Sequence, residues 1–544
     1  MENVLYFGDN LDIMRRYLPE ESVDLVYADP PFNSSQNYNV LFQEKDGSQA
    51  ASQIRAFDDT WTWDSEDEAV YADLVTAGGK VADVLQAFRQ FIGPCDMLAY
   101  LVMMAPRLIE CRRVLKPTGS MYLHCDPTAS HYLKLLMDAV FGLANFRNEI
   151  IWKRKAGRGE TNNRAIRFGV SHDILLFYAR SKDGVFNRQV RPNNPDYIES
   201  KFTHDDGDGR LYQLDNLTSP SPRPNLRYEY KGFQPPANGW AVSLERMKEM
   251  DSNGRVWFPD DKMKRLRRKR YLDELEGETV DTLWDDISPI NSQAAERLGY
   301  PTQKPIALLE RIIKASCPEG GVVMDPFCGC GTTVTAAQTL GRPWIGIDIT
   351  HLSITLMKER LKDTFGAAAK FKVVGEPTSA PDAAALAASD PYQFQWWSLG
   401  LVGARPVEEK KGADKGIDGK IVFQGDAAGK FESVIISVKA GNTGVAHVRD
   451  LRGVLDREKA SIGVLITMQE HTKPMQEEAV TAGFYESKLW GRRYPKIQLF
   501  TVADLLAGKQ IEMPPIKQVG ATFKKAPRAA AKSAGEQGEL SIGG

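Results

Sequence analysis

Along the first 180 residues, short apolar runs alternate with stretches in which apolar residues recur at helical spacing. Apolar runs of four to eight residues predict buried strands, and the helical spacing predicts amphipathic helices. The expected strands cover 23–28, 120–124, 149–153 and 174–178, and the expected helices cover 98–114 and 130–141. This alternation predicts an α/β fold with a doubly wound parallel sheet.

The same alternation returns near residue 286. A helix is expected over 306–317, a short strand from Val322, a helix over 334–340 and a strand over 344–348. Between 153 and 285 the periodicity fades, and Asn, Pro, Gly, Tyr and Arg become frequent. We therefore expect the sheet domain to consist of two parts, 1–152 and 286–365, separated by an inserted region, 153–285.

The last third of the chain has a different composition. An Ala- and Pro-rich stretch predicts a linker over 366–389. A smaller α/β domain is expected over 390–518, with a helix at 394–401 and strands at 420–423, 433–438, 462–467 and 496–500. The tail, 519–544, is rich in Lys, Ala, Ser and Gly and is expected to be disordered.

Composition limits the class of protein. The 544 residues carry 69 Lys and Arg against 71 Asp and Glu, so any surface for nucleic acid must be local. None of the six cysteines forms a Cys-x-x-Cys pair, which indicates neither a zinc site nor a disulfide framework. Neither a secretory leader nor an apolar stretch of membrane-spanning length is expected, so the chain is predicted to be cytoplasmic, without a membrane partner.

The strand at 23–28 leads directly into Asp29-Pro30-Pro31-Phe32. Two prolines cannot continue a strand's hydrogen bonds, so a carboxylate, a carbonyl and an aromatic ring are fixed at the strand's carboxyl end. Asp29 and the Pro30 carbonyl would accept the two hydrogens of a nucleobase amine and stabilise the positive charge that develops when the nitrogen is methylated. Phe32 would stack on the base, a contact that contributes about 1–3 kcal/mol.

A second motif, Asp325-Pro326-Phe327-Cys328-Gly329-Cys330-Gly331-Thr332, stands between the later strand and helix. Its glycines allow close approach of a ligand, and Asp348 ends the next strand. This spacing presents a carboxylate to ribose hydroxyls. Since neither a Gly-x-Gly-x-x-Gly fingerprint nor a Walker lysine is present, the turn favours an adenosine-bearing ligand without a pyrophosphate.

These motifs resemble those of the DNA amino-methyltransferases. Asp29 to Phe32 is similar to their (Asp/Asn/Ser)-Pro-Pro-(Tyr/Phe) motif, the glycine turn to their S-adenosylmethionine motif, and Tyr300-Pro-Thr-Gln-Lys-Pro305 to a further cofactor-side motif. The order is that of the β class, and the resemblance covers about residues 1–365. Asp at the first position is typical of adenine-N6 enzymes; a cytosine-N4 enzyme is the alternative.

The resemblance assigns a role to each matching residue. It implies that the flipped base is held by Asp29, Pro30 and Phe32. It implies that S-adenosylmethionine is surrounded by Asp325, Phe327, Gly329, Gly331 and Thr332, that its ribose is bound by Asp348, and that its pocket is bordered by Thr302 and Lys304. Pro94-Cys95 and Glu2-Asn3-Val4 are similar to two motifs of the cytosine-C5 methyltransferases. In that class the cofactor motif precedes both, whereas here it follows both, so cytosine-C5 methylation is disfavoured.

The inserted region is expected to recognise double-stranded DNA. Basic side chains near its two ends would contact phosphates, while a solvated helix face is the alternative explanation of the later cluster. The candidate residues are Lys153, Arg154, Lys155, Arg265, Arg267, Arg268, Lys269 and Arg270.

The C-terminal domain resembles the restriction-endonuclease-like domains of methyl-directed restriction enzymes, with the PD-(D/E)XK pattern. Asp418 and Lys439 match an acid that binds Mg²⁺ and a lysine that orients water. Ser437 stands where a second acid is usual, and a hydroxyl is a weaker ligand for Mg²⁺. A bifunctional restriction–modification protein, a DNA-contacting or regulatory remnant, and a DNA-binding scaffold with an idle methyltransferase half are the hypotheses. A homodimer and a separate restriction partner also stay open.

Overall fold

The computed structural model describes residues 2–31, 63–154, 168–291, 294–298, 300, 302–407, 416–425 and 431–514. Phe32, Lys155 and the tail 519–544 lie outside the described residues. The chain forms two compact units, one of Met1–Asn187 and Thr282–Gly544 and the other of Arg188–Asp281.

The strands and helices follow in chain order. The strands up to the second unit are β1 Val4–Phe7, β2 Val23–Ala28, β3 Leu115–Cys125, β4 Phe146–Lys153 and β5 His172–Ala179. The second unit contains β6 Val190–Arg191, β7 His204–Asp205, β8 Leu211–Asn216, β9 Val256–Trp257, β10 Arg267–Tyr271 and β11 Glu278–Thr279. The later strands are β12 Leu283–Trp284, β13 Val323–Asp325, β14 Trp344–Asp348, β15 Lys372–Val374, β16 Arg405–Pro406, β17 Gly419–Gln424, β18 Phe431–Lys439, β19 Ile462–Thr467, β20 Phe484–Ser487, β21 Arg492–Pro495 and β22 Ile497–Thr501.

The helices are distributed over both units, and the first unit includes those of the C-terminal domain. They are α1 Asn10–Tyr17, α2 Ser65–Ala77, α3 Gly79–Ile92, α4 Asp96–Val114, α5 Ser130–Phe141, α6 Pro195–Lys201, α7 Leu244–Ser252, α8 Ile306–Ser316, α9 Thr332–Thr339, α10 His351–Phe365, α11 Ala380–Ser389, α12 Pro391–Leu401, α13 Val445–Glu458, α14 Lys473–Thr481 and α15 Val502–Leu506.

A nine-stranded sheet organises the first unit, in the order β12-β4-β5-β3-β2-β13-β14-β1-β15. Its neighbouring strands are parallel except around β5, which runs antiparallel to both β3 and β4. The predicted α/β class is confirmed, but the sheet is mixed rather than purely parallel. An antiparallel neighbour needs no helical crossover, and the sequence between β4 and β5 has no apolar helical repeat.

The strands that carry the two sequence motifs are neighbours. β2 pairs in parallel with β13, and all residues of both strands are buried. The motifs are almost 300 residues apart in sequence (Asp29 and Asp325), yet parallel pairing brings both to the same edge of the sheet. That edge, the carboxyl end of the strands, is where open α/β sheets bind ligands.

The second unit has a four-stranded antiparallel sheet, β7-β8-β10-β9, and a separate pair, β6 and β11. A small apolar core that includes Leu217, Phe233, Trp240, Met247 and Leu266 stabilises it. The second unit spans fewer residues than the region 153–285 expected from the sequence, because β5 belongs to the nine-stranded sheet.

The C-terminal domain is built on a five-stranded sheet, β16-β17-β18-β19-β22. β16, β17 and β18 are antiparallel, while β18, β19 and β22 are parallel. The stretch expected to be a linker is partly regular, since β15 pairs with β1 and Ala383 of α11 is buried in the core of this domain. In the part of the chain that the structure describes, no helix is long and apolar enough to cross a membrane.

Candidate active site at the carboxyl edge of the large sheet

Asp29 follows β2 and points one oxygen at a lysine. Its Oδ2 lies 2.5 Å from Nζ of Lys304, and both side chains are largely buried. Its Oδ1 is buried and accepts no hydrogen bond from any described residue. A buried carboxylate oxygen without a donor is costly, so Asp29 presents an acceptor that a ligand's N–H group would satisfy.

The position of Lys304 is a finding of the structure. The resemblance implied that Lys304 and Thr302 border the cofactor pocket, whereas the Lys304 ammonium is paired with Asp29, in the motif expected to bind the base. Thr302 is exposed, and its carbonyl lies 3.5 Å from the same ammonium. Lys304 therefore fixes one Asp29 oxygen and leaves the other to a ligand.

A row of buried polar side chains crosses the sheet next to this edge. Tyr27 Oη lies 2.8 Å from Nδ1 of His124, and His124 Nε2 lies 3.1 Å from Oδ2 of Asp173. His124 and Asp173 are completely buried. These residues belong to β2, β3 and β5, which are adjacent strands. The contacts tie the strand that ends at Asp29 to its neighbours.

The environment of this row shifts two pKa values. Burial and the nearby carboxylate of Asp29 raise the pKa of Tyr27 well above its usual value. Burial opposes ionisation of Asp173, but its hydrogen bond to His124 and the nearby charge of Lys304 outweigh it and lower its pKa. Tyr27 therefore stays protonated and Asp173 stays ionised near neutral pH.

Arg154, expected to contact DNA, is turned toward this row. Its Nε lies 3.2 Å from Oδ1 of Asp173, and its side chain is 28% exposed. The adjacent Lys153 is exposed at the end of β4. Arg154 therefore balances the charge of a buried carboxylate, whereas Lys153 is presented to solvent.

Asp325 ends β13 and organises the glycine turn. Its Oδ1 accepts the N–H of Phe327 at 2.9 Å, and its Oδ2 accepts the hydroxyl of Thr333 at 2.5 Å. Burial, together with the charges of Asp29 and Asp348, raises the pKa of Asp325 to about 7, although both hydrogen bonds lower it. The carboxyl group is thus poised to respond to a positive charge.

Asp348 ends β14 and holds the same turn from the other side. Its Oδ2 accepts the N–H of Gly329 at 2.8 Å, while its Oδ1 accepts the N–H and the hydroxyl of Thr350, both at 2.9 Å. Burial raises its pKa. Each carboxylate oxygen has two acceptor positions, so Oδ2 keeps capacity for a further donor such as a ribose hydroxyl.

Glycine is required at position 331. Gly331 has a φ of +76°, in the left-handed region, and it precedes α9. A β-carbon there would lie 2.6 Å from Cγ of Met357 in α10. The turn is also fastened by Arg360 of α10, whose Nη1 donates to the carbonyl of Cys330 at 2.9 Å and to Oγ1 of Thr332 at 3.1 Å. Thr332 therefore contacts α10.

Some residues of the site carry no signal in the sequence. Asn10 donates from Nδ2 to the Pro326 carbonyl at 2.8 Å, and Arg107 in turn donates to Asn10 Oδ1 at 2.7 Å. Arg360 likewise supports the turn. Only their contacts, across strands and helices distant in sequence, show their role.

The basic cluster of the second unit lies on a strand, not on a helix face. Residues 267–270 belong to β10, where Arg268 is paired with Asp215 and Lys269 with Asp206. Arg265 approaches Thr218 Oγ1 at 3.4 Å. Arg267 and Arg270 are exposed and form no ion pair with a described residue. Of the candidate residues on β10, these two are therefore open to solvent.

In the C-terminal domain the three nuclease-like residues converge. Asp418 Oδ2 accepts the N–H of Val438 at 2.6 Å and the hydroxyl of Ser437 at 3.1 Å, and Lys439 Nζ lies 3.8 Å from it. Oδ1 accepts from Nε2 of Gln395 in α12 at 2.9 Å. Among the described residues, no cluster of three His, Cys, Asp or Glu could hold a metal ion. The three residues lie together, but hydrogen-bond donors surround Asp418, the one acid among them.

The α/β sheet brings two sequence motifs together at one edge, and comparison with known proteins gives the family. The chain belongs to the N6/N4 DNA methyltransferase family: residues 23–359 match its family model, described as DNA methylase. Residues 393–507 match a second family model, described as NACHT-associated inactive Restriction Endonuclease 1. The predicted membership in the DNA amino-methyltransferases is confirmed at the level of the N6/N4 family.

Individual relatives are distant. The Type II methyltransferase M.EcaI of Enterobacter cloacae is 27% identical over 351 residues, which cover 64% of this chain and 67% of that protein. The Mod subunit of the Type III restriction-modification enzyme StyLTI of Salmonella typhimurium is 27% identical over 358 residues, covering 62% of this chain and 50% of the subunit. The chain thus spans half to two thirds of the length of these relatives.

Solved structures give weaker similarity. A Thermus thermophilus protein described as a DNA modification methylase, complexed with S-adenosyl-L-methionine, is 16% identical with a TM-score of 0.33, covering 69% of this chain and 100% of that chain. The PvuII DNA methyltransferase, described as cytosine-N4-specific, is 14% identical with a TM-score of 0.31, covering 66% of this chain and 86% of that chain.

Proposed function

We propose that this protein is a site-specific DNA methyltransferase that transfers the methyl group of S-adenosylmethionine to the N6 amine of adenine in duplex DNA. The observation that carries the proposal is the buried Oδ1 of Asp29, which has no hydrogen-bond donor among the described residues. It lies at the sheet edge that also bears the glycine turn. An exocyclic amine supplies the N–H group that this acceptor needs.

The residues of the glycine turn fit the proposed cofactor. S-adenosylmethionine supplies an electrophilic methyl group on a sulfonium and also carries an ammonium group. Asp325 and Asp348 are buried acidic groups whose pKa values are raised by burial, and a bound cation would relieve that cost. Asp325, Phe327, Gly329, Gly331 and Thr332 would hold the methionine and adenosine parts, and Asp348 the ribose.

Catalysis follows from positioning and electrostatics. Asp29 Oδ1 accepts one hydrogen of the amine and the Pro30 carbonyl accepts the other, which orients the nitrogen toward the methyl group. The Asp29 carboxylate stabilises the positive charge that develops on the nitrogen, while Lys304 keeps the carboxylate in place. Phe32, which lies outside the described residues, would stack on the base once the base has left the duplex, at a cost of a few kcal/mol. The amine would attack the methyl carbon directly, without a covalent enzyme intermediate. The N–C bond would form as the S–C bond breaks and S-adenosylhomocysteine leaves, and the methylated nitrogen would then lose a proton.

The choice of base rests on Asp29. The resemblance associates Asp at this position with adenine, and cytosine-N4 methylation is the alternative. We test this by incubating the protein with unmethylated DNA and S-adenosylmethionine, digesting the DNA to nucleosides and identifying the methylated nucleoside by mass spectrometry. N6-methyladenine is expected. N4-methylcytosine would keep the mechanism and overturn the base, and the absence of any product would overturn the function.

The exposed basic residues of the second unit support duplex DNA as the partner. Arg267 and Arg270 on β10, with Arg265 and Lys153, are proposed to contact phosphates, because such contacts supply most sequence-independent affinity. Membership in a restriction–modification system, a homodimeric state and a cytoplasmic location are parts of the same proposal. Measuring DNA affinity at several salt concentrations tests these contacts. Each phosphate contact that a substitution removes should reduce the dependence of the affinity on salt.

We propose that the C-terminal domain does not cleave DNA. A Mg²⁺ ion prefers several oxygen ligands with negative charge, whereas Asp418 faces Ser437, Gln395 and Lys439. The match to a family described as inactive supports this. A bifunctional nuclease remains the alternative, and Mg²⁺-dependent cleavage that is lost in Lys439→Ala would establish it.

A further inference from the structure

Helix α12 contributes side chains to two different apolar clusters. Its Phe394, Trp397 and Leu399 are buried in the core of the C-terminal domain. Its Trp396, between them in sequence, is instead buried in a separate cluster with Tyr300, Cys330, Leu352 and Leu356. The C-terminal domain therefore contributes a side chain to a cluster that contains residues of the methyltransferase motifs.

The members of that cluster lie around the glycine turn. Cys330 belongs to the turn itself, between the two glycines. Tyr300 begins the second cofactor-side motif, and a β-carbon at Gly329 would lie 3.4 Å from its ring. Trp396 is 3% exposed in this position. Its indole thus occupies space behind the turn that would otherwise be a cavity, and interiors do not tolerate such voids without cost.

Two further contacts fix α12 on α10. Gln393 Oε1 accepts the N–H of His351, the first residue of α10, at 3.1 Å. Gly400 approaches α10 so closely that a β-carbon there would lie 2.6 Å from Oγ1 of Thr355. Gln393, Trp396 and Gly400 are spaced by three and four positions, so they share one face of the helix.

Helix α10 also holds the turn. Arg360 donates to the carbonyl of Cys330 and to Thr332, and Met357 packs where a side chain at Gly331 would stand. A displacement of α10 would therefore move the donors and the wall of the turn directly. The connection from α12 to the turn is continuous through packed side chains, which is the physical requirement for coupling.

We propose that α12 holds the glycine turn in its ligand-binding shape, and that Trp396 is a positioning residue for S-adenosylmethionine binding. The nuclease-like domain then serves the methyltransferase as a structural support rather than as a second enzyme. The inference rests on the proposed cofactor. It accounts for the packing of one helix into both domains, which a nuclease attached only by a linker does not need.

The experiment uses the full-length chain and calorimetric titration with S-adenosylmethionine. Trp396→Ala is expected to raise the dissociation constant of the cofactor roughly tenfold, while the KM for DNA changes by less than about twofold. Trp396→Phe is expected to restore most of the affinity, because a ring again fills the cluster. The matched control is Tyr392→Ala, which removes an aromatic ring that is 48% exposed on the same helix. An unchanged cofactor affinity in Trp396→Ala would overturn the proposal.

A second variant avoids removing core volume. Gly400→Ala improves helix propensity yet pushes α12 away from Thr355, so it is expected to weaken cofactor binding about as much as Trp396→Ala does. The double variant Gly400→Ala with Thr355→Ala removes the clash and should recover the affinity. If the double variant stays as weak as the single one, the spacing of α12 and α10 does not control the turn.

Hydrogen exchange separates this proposal from the proposed function. Backbone amides of 328–333 are expected to exchange faster in Trp396→Ala than in the wild type, without any cofactor present. If the wild-type chain fails to bind S-adenosylmethionine but this difference is seen, the cofactor assignment is wrong and the support of the turn by α12 stands. Equal exchange in both chains refutes the support itself.

Discussion

Lys304 and Asp29 form an ion pair between residues 275 positions apart in sequence. The pair joins the motif expected to bind the base to the motif expected to border the cofactor. It also makes the two oxygens of Asp29 different, because Oδ2 is occupied by Lys304 and Oδ1 is buried without a donor among the described residues. The site therefore offers one directed acceptor at the edge where both motifs meet.

Removal of the Asp29 carboxylate should abolish methylation and leave cofactor binding intact. For Asp29→Ala we expect a loss in kcat of at least about 10²–10³-fold, the effect of removing one preorganised charge-stabilising group. Methylated nucleosides measured by mass spectrometry give the rate, and calorimetry gives the affinity for S-adenosylmethionine. Asp12→Ala, an exposed acid on α1, is the matched control. Full methylation by Asp29→Ala would refute the assignment.

Removal of the Asp348 carboxylate should weaken the cofactor more than it slows the reaction. Asp348→Ala loses the acceptor of the Gly329 N–H group and the proposed contact to ribose, and one charge-assisted hydrogen bond contributes about 1.5–3 kcal/mol. We expect the dissociation constant of S-adenosylmethionine to rise by about tenfold or more, with kcat at saturating cofactor much less affected. An unchanged affinity would exclude the ribose role.

Cofactor affinity should increase with pH between about 6 and 8. Burial raises the pKa of Asp325 to about 7, and a cationic ligand favours the ionised form. Below pH 7 binding must therefore release a proton and is weaker; above pH 7 it releases none. Titrations at several pH values should show this slope in the wild type and a flatter profile in Asp325→Asn. The same slope in Asp325→Asn would assign it to another group.

The raised pKa of Asp325 also makes the free energy of unfolding depend on pH. Because its folded-state pKa lies above the ordinary value of 3.8, protonated Asp325 favours the folded state. That contribution is fully present below pH 3.8 and is lost as the pH rises through 7. Asp325→Asn should remove the decline between these values, and urea unfolding at pH 5 and pH 8 measures it. An identical pH dependence in both chains would contradict the raised pKa.

The buried hydrogen bonds that join Tyr27, His124 and Asp173 should contribute strongly to the free energy of unfolding. His124→Leu leaves Asp173 buried without its imidazole partner, and breaking a buried pair in this way costs about 3–5 kcal/mol. Tyr27→Phe removes one hydrogen bond and should cost about 1 kcal/mol. Unfolding in urea compares the two variants with the wild type. A smaller loss for His124→Leu than for Tyr27→Phe would show that Arg154 alone compensates Asp173.

The C-terminal site should remain inactive with Mg²⁺ and acquire affinity for the ion when a second acid is added. Ser437→Glu places a carboxylate beside Asp418, which supplies the charge that a hydroxyl lacks. We expect no Mg²⁺-dependent cleavage of DNA by the wild type and tighter Mg²⁺ binding by Ser437→Glu in calorimetry. Ser437→Gln, which is similar in size without the charge, is the control. Cleavage by the wild type would support the bifunctional alternative.

The sequence alone determined the local structure and the chemistry of the motifs. The strand at 23–28, the helix at 130–141 and the strands at 344–348 and 462–467 are observed as predicted, because the period of burial along the chain is a local property. The glycine turn could also be identified from a local property, since a left-handed conformation at Gly331 restricts the residue type. The resemblance to nuclease-like domains implied that Asp418, Ser437 and Lys439 lie together, and they do.

The tertiary structure decided what depends on partners distant in sequence. The antiparallel direction of β5, the ion pair of Lys304 with Asp29, the inward position of Arg154 and the place of Trp396 behind the glycine turn have no periodic signal. Each is selected by strand order and by the requirement that a buried charge or cavity be compensated. Those requirements act only once the chain is folded, so they are visible in the contacts and not in the pattern of residues.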